Sequence, residues 1–128
     1  MEKEELAQVA QKLLKLWIQI SQKFEEEGHR DSLEIKAQIL IVAVRGRRKT
    51  HIVYKANLSS GSISAHLKEL KEAGLIEYNS EKKLFKTTIK GIRFLENFSD
   101  SINVMMGHKG AEIKLTDEAA LQILLSII

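Results

Sequence analysis

The sequence predicts a mainly α-helical chain with one small β-hairpin, an α+β arrangement in which helices stand before and after the hairpin. Three observations predict it. The 128 residues contain no proline and only 7 glycines, whereas all-β folds use both in their turns. Apolar residues recur at steps of three and four over most of the chain, the period of amphipathic helices. Two short β-rich runs flank a polar loop of hairpin length and interrupt that period once. A chain of this size holds one core and buries about two thirds of its unfolded surface, and 44% hydrophobic with 29% charged residues is the balance of a folded protein rather than a disordered one.

The elements follow in order. Leu6, Val9, Leu13, Leu16 or Trp17, Ile20 and Phe24 lie on one stripe of a long first helix. Glu25 to Asp31 reads as a polar link closed by Gly28 as a C-cap. Leu33 to Val44 is a dense apolar run, predicted as a buried helix, with Ile35, Ile39, Leu40, Ile41 and Val44 inward. Thr50 is expected to cap a short helix to Ala56, with Ile52, Val53 and Tyr54 giving apolar contacts. Asn57 to Ser59 is a tight turn, and serines at 59, 60 and 62 can cap a further helix that runs to Ala73, with Gly74 at its C′ position. Leu75 to Tyr78 and Leu84 to Ile89 are the two strand-like runs. Lys90-Gly91 opens a helix with Ile92, Leu95, Phe98, Ile102 and Met105 or Met106 on one stripe, ending at Gly107; after a turn over Gly107 to Gly110, Thr116 with Asp117 and Glu118 starts a last apolar helix through Ile128. Its bare aliphatic end needs cover from the first helix or from a partner. Three segments result: a helix and link over 1–31, a central module over 32–90, and packing or dimerisation helices over 91–128, all within one compact unit.

Charge separates the same segments. Residues 1–31 carry 5 basic and 7 acidic side chains, 32–90 carry 12 and 5, and 91–128 carry 3 and 5, giving nets of −2, +7 and −2. A basic centre between acidic flanks points to a module that meets a polyanion. Three short helices followed by a two-stranded hairpin is the order of a winged helix-turn-helix, whose third helix lies in the DNA major groove. In that helix Ile63, Leu67 and Leu70 fall within about 60° of one another and form the buried face. Ser60, Ser64, Lys68 and Lys71 gather on one flank, with Glu69 and Glu72 toward the other. Hydroxyls and ammoniums reach phosphates and base edges; the arginine, asparagine and glutamine side chains that discriminate bases bidentately are missing from this face. Arg45, Arg47, Arg48 and Lys49 precede the second helix of the module and are candidates for a phosphate run, the alternative being a solvated loop. Lys82 and Lys83 at the hairpin tip are candidates for an adjacent minor groove or its phosphates, with Lys86 assisting.

The segment Lys49-Thr50-His51-Ile52-Val53-Tyr54-Lys55-Ala56-Asn57-Leu58-Ser59, followed by Leu67, Leu70, Leu75-Ile76, Thr88, Lys90-Gly91 and Phe94-Leu95, resembles the archaeal winged-helix family of small Sulfolobus chromatin proteins of the ten-kilodalton class. The likeness covers about residues 33–106. It implies a homodimer that binds double-stranded DNA, associated with the chromosome as a nucleoid protein or transcription regulator. It implies contacts from Ser60, Ser64, Lys68, Lys82 and Lys83, dimerisation through the helix after the wing (Leu95, Phe98, Ile102, Met105), and core positions for Tyr54, Ala56 and Leu58. The chain departs from the family at its flanks: Gly107 to Gly110 interrupts the helix that the family continues as a coiled coil, and a long N-terminal helix is added. Both flanks bear on the dimer interface, so the family's rod-like antiparallel dimer is not carried over.

Catalysis has no candidate. His29, His51, His66 and His108 show no metal spacing, there is no cysteine, and Ser59-Ser60-Gly61-Ser62 lacks the lysine of a phosphate-binding loop. No enzyme, metal or cofactor is expected. The acidic N-terminus and the lack of an apolar run of roughly 18 residues favour a cytoplasmic, non-membrane address. A winged-helix module used for protein contacts, its basic face incidental, is the alternative to a DNA binder. Nucleoid coating and operator-specific regulation differ in a specificity ratio that composition does not carry.

Overall fold

The computed structural model describes residues 3–106 and 115–128. Six helices and one hairpin follow in the order α1 (Lys3–Glu27), α2 (Ser32–Val42), α3 (Lys49–Lys55), α4 (Ser60–Glu72), β1 (Ile76–Asn79), β2 (Leu84–Thr87), α5 (Ile89–Met106) and α6 (Asp117–Ile127). This is the mainly helical architecture with a small antiparallel hairpin, a winged helix-turn-helix with added helices at both ends.

Local chemistry sets most boundaries. α1 stops at Gly28, whose φ of 78° is the left-handed conformation that glycine tolerates. Asp31 begins α2 with a reciprocal capping box: its carboxylate accepts from the Glu34 backbone N–H at 2.8 Å, and Glu34 Oε1 accepts from the Asp31 N–H at 2.9 Å. Ser59 caps α4 by accepting from the Ser62 N–H, and Thr116 caps α6 by accepting from the Ala119 N–H. The expected turn at Gly107 to Gly110 lies outside the described residues.

One core joins all six helices and the first strand. Leu6, Leu13, Leu14, Leu16 and Ile20 of α1, Ile39 to Ile41 of α2, Ile52, Ile63, Leu70 and Leu95 are withdrawn from water, each contributing about 1.5–3 kcal/mol by burial. α6 lays Ala120, Leu121 and Leu124 into this core, and Gln11 of α1 fixes its start by donating to the Leu115 carbonyl at 2.9 Å and to Asp117 Oδ1 at 2.7 Å. The first helix thus covers the aliphatic C-terminal segment, one of the two covers expected. α1 is tied to α2 by the Lys23–Glu34 ion pair at 2.7 Å, and α2 to α4 by Lys36–Glu69 at 2.7 Å.

Four local expectations are corrected. Arg48, not Thr50, is the N-cap of α3, without a side-chain cap bond; the pairing of Arg47 with Phe85 holds the chain extended up to that point. Tyr54, expected in the core, is 79% exposed. Ile52 and Ala56, four apart, form the buried stripe of α3, and Tyr54 stands about 200° round the helix from Ile52. Ile89, expected in the second strand, is the first residue of α5, because the Thr88 hydroxyl accepts from the Gly91 N–H at 3.0 Å and caps the helix there. Leu95, expected at a dimer seam, is fully buried in the chain's own core; an apolar stripe does not state which surface covers it.

Gly91 is buried where α5 crosses the root of the hairpin, and a β-carbon there would overlap the Leu75 carbonyl oxygen and the Thr87 γ-methyl. Gly→Ala within a helix ordinarily gains up to about 1 kcal/mol. Here Gly91→Ala is expected to cost about 2–3 kcal/mol through overpacking, read as a lower urea midpoint at unchanged slope; a stabilised variant would contradict the packing.

Candidate nucleic-acid interface

The module that carries the excess positive charge is α2–α3–α4 with the hairpin, and α4 and the hairpin each turn one face to solvent. Ile63, Leu67 and Leu70 turn α4 onto the core, as their spacing predicts, which leaves Ser60, Ser64, Lys68 and Lys71 in solvent. β1 and β2 pair in register Ile76↔Thr87, Glu77↔Lys86, Tyr78↔Phe85 and Asn79↔Leu84. The four-residue connection turns through Lys83 at φ 56°, with Asn79 Oδ1 accepting from the Glu81 and Lys82 N–H groups at 3.0 and 3.1 Å. Lys82 and Lys83 stand exposed at its tip.

Between α4 and the hairpin runs a cleft of about 420 Å3 whose walls include Lys49, Ser64, Lys68, Lys71, Tyr78 and Phe85. Lys49 crosses from the start of α3 to α4, its Nζ donating to Ser64 Oγ at 2.8 Å. The geometry thus brings Lys49, expected in the loop before α3, to the same cleft as Ser64, Lys68 and Lys71, expected together on one flank of α4. Arg45 and Lys82 line a second depression on the hairpin with Lys86. Ser60 and Arg48 are exposed but line neither depression.

Arg47 departs from its neighbours. Its backbone pairs with Phe85, N–H to carbonyl at 2.9 Å and carbonyl from N–H at 2.8 Å, as a one-residue addition to the sheet. Its Nε donates to the Ile128 carbonyl at 2.9 Å, and Nη1 donates to the Gly46 carbonyl at 3.1 Å. The guanidinium expected in a phosphate run is thus occupied in holding the end of α6, with His51 Nε2 on the same carbonyl at 3.0 Å. Gly46, at φ 86°, makes the turn that allows this pairing.

The site also holds two aromatic residues that the sequence pattern marks only as strand formers, Tyr78 and Phe85; the signal for them is that residues opposed in a hairpin share one face. Arg30, which the sequence pattern marks only as part of the link, donates to Gln38 Oε1 and the Ala56 carbonyl at 2.6 Å and to the Asn57 carbonyl at 2.8 Å, lying over the Phe24 ring at 4.3 Å. These bonds satisfy carbonyls at the end of α3 and fix the turn into α4. Asn57 takes φ 52° there, a conformation asparagine tolerates.

Among the described residues no group of three or more His, Asp or Glu side chains gathers as a metal site, and no helix is long and apolar enough to cross a membrane. His66 sits on the α4 flank facing α2, its Nδ1 out of solvent without a partner. Burial first, and then the Lys36 ammonium, push its pKa below the usual imidazole value, against the opposing pull of Glu69. The Lys36 hydrogen bond and charge hold Glu69 below the usual carboxylate range.

Residues 29–106 match the family model described as winged helix-turn-helix, and the chain belongs to that family. No curated protein matches the chain.

The lowered pKa of His66 has a signed consequence. Between the folded and the unfolded values the unfolded chain binds more protons, so stability falls as pH drops through about 6.5. Thermal unfolding between pH 7.5 and 5.5 is expected to show this loss, and His66→Gln is expected to reduce it; an unchanged pH dependence in the variant would assign it to other groups.

Proposed function

We propose that this protein is a non-catalytic, homodimeric double-stranded DNA-binding protein of archaeal type, acting as a transcription regulator or nucleoid protein. The single observation that carries the DNA reading is the cleft in which Lys49, Ser64, Lys68 and Lys71 converge beside the hairpin. Membership of the winged helix-turn-helix family supports it. In this reading α4 enters the major groove and the lysine ammoniums neutralise phosphates on its rim. Arg45, Arg48, Lys82, Lys83 and Lys86 extend the contact along the backbone. Lacking residues for bidentate base pairing on its exposed face, α4 takes most of its affinity from phosphates.

Self-association is assigned to the flank of α5 along Phe94, Phe98, Ile102 and Met105, and to its exposed C-terminal end. Phe94 and Phe98 pack edge to face there, centroids 5.8 Å apart, and with Ile102 they are only half-buried, while Val104 and Met105 are 83% and 86% exposed. Two large apolar side chains in water at the end of one helix favour a covering surface, and a second copy supplies the same face.

Fluorescence anisotropy on a random duplex and on duplex from the gene's own upstream region, at about 50 and 200 mM salt, tests the reading. Salt-sensitive binding to both with little preference indicates a nucleoid role, and a large preference for the upstream duplex indicates a regulator. No binding to either would overturn the DNA reading in favour of protein contacts. Lys68→Ala and Lys71→Ala are each expected to weaken binding evenly across sequences and to lower the salt slope by roughly one per lost phosphate contact; unchanged slopes would move the contact elsewhere. Met105→Asp, with Val104→Asp, is expected to convert dimers to folded monomers in sedimentation, and persisting dimers would move the interface off α5.

A further inference from the structure

The cleft beside α4 has an aromatic floor as well as a charged rim. Tyr78 and Phe85 occupy opposed positions of the ladder, with ring centroids 4.6 Å apart and planes tilted by 42°. Phe85 is half-buried, and its backbone is fixed on both sides, to Asn79–Ile76 through the hairpin and to Arg47 through two hydrogen bonds. Tyr78 keeps 41% of its surface in solvent, with Lys71 Nζ 5.9 Å from its ring centroid. Lys49 and Lys68 stand on the same cleft.

An aromatic face on a rigid support, flanked by ammoniums spaced along a groove, is the combination with which proteins hold unpaired bases: the ring takes the base by stacking and the cations track the phosphates. A duplex offers its bases only by their edges, and the exposed face of α4 is poorly equipped to read edges. The side chains present suit the face of a base better than its edge.

We propose that this cleft takes an unstacked DNA base onto Tyr78, with the adjoining phosphates held by Lys49, Lys68 and Lys71, so that the protein prefers DNA interrupted by unpaired nucleotides over an uninterrupted duplex. The proposal rests on the DNA reading above and adds the form of DNA recognised. Phe85 supports the Tyr78 ring from below and does not meet the base. Because every base has a π-face, the preference is for unpairing rather than for sequence.

The test compares the wild-type protein, Tyr78→Leu and Tyr78→Phe on two labelled duplexes of one sequence, one fully paired and one with a short central unpaired thymidine tract. Wild-type protein is expected to bind the interrupted duplex about ten-fold more tightly, within the range that stacking of one base supplies. Tyr78→Leu is expected to erase that preference, losing about ten-fold more affinity on the interrupted duplex than on the paired one, and Tyr78→Phe to keep most of it. A measurement that needs no variant places 2-aminopurine in the tract: stacking on Tyr78 quenches its fluorescence on binding. Equal wild-type affinity for both duplexes, equal losses on both in Tyr78→Leu, or an unquenched 2-aminopurine overturns the proposal and leaves duplex binding standing. Binding to neither DNA overturns the duplex reading with it.

Discussion

The fold turns on how the carbonyls at the end of α2 are satisfied. A helix ends with carbonyls that lack intrahelical partners, and burying them unpaired is costly. Here β2 serves them: the Thr87 hydroxyl donates to the Leu40 carbonyl at 2.6 Å in a buried setting, and the Thr87 N–H donates to the Ala43 carbonyl at 3.0 Å. The next residue serves the other side of the hairpin root, the Thr88 hydroxyl donating to the Gly74 carbonyl at 2.7 Å and its N–H to the Leu75 carbonyl at 3.0 Å. Two adjacent threonines thus fasten the hairpin to the end of α2 and to the end of α4 together. The width of the cleft between α4 and the hairpin follows from these bonds, and with it the spacing of the lysines on its walls.

The same junction explains why the residues of the cleft are distant in sequence. Arg47 extends the sheet by one residue, which brings Lys49 to within hydrogen-bonding reach of Ser64 and delivers the start of α3 to the cleft. At the other end of the module Arg30 closes α3 by its last carbonyls, and the Lys36–Glu69 pair sets α4 against α2. Exposed ion pairs contribute little stability singly; their value here is in orientation. α1 and α6 add the apolar mass on which the module rests.

The bounds of α1, α4 and α6 were readable from the sequence because Gly28, Ser59, Gly74 and Thr116 act locally and give the same instruction in any tertiary setting, whereas the Asp31–Glu34 capping box of α2 and the uncapped start of α3 were not read. The buried face of α4 was readable because three apolar residues at steps of four and three admit one inward direction. What periodicity does not carry is the identity of the neighbour. Leu95 belongs to an apolar stripe that fits a partner as well as its own core, and Tyr54 lies in a two-turn helix too short for its stripe to be fixed by pattern. Arg47 looked like its basic neighbours, and only the position of Ile128, 81 residues away, distinguishes it. The aromatic floor is a cross-strand property and needs the register of the hairpin to be seen.

In the proposed reading nucleic acid lies along α4 and the hairpin while α1 and α6 face away from it. Amide chemical shifts followed by NMR during titration with a short duplex test this placement. Shifts concentrated in Ser60 to Lys71, Arg45 to Lys49 and Tyr78 to Lys86, with α1 and α6 unmoved, are the predicted result. Shifts centred on α1 or α6, with α4 and the hairpin silent, would contradict it.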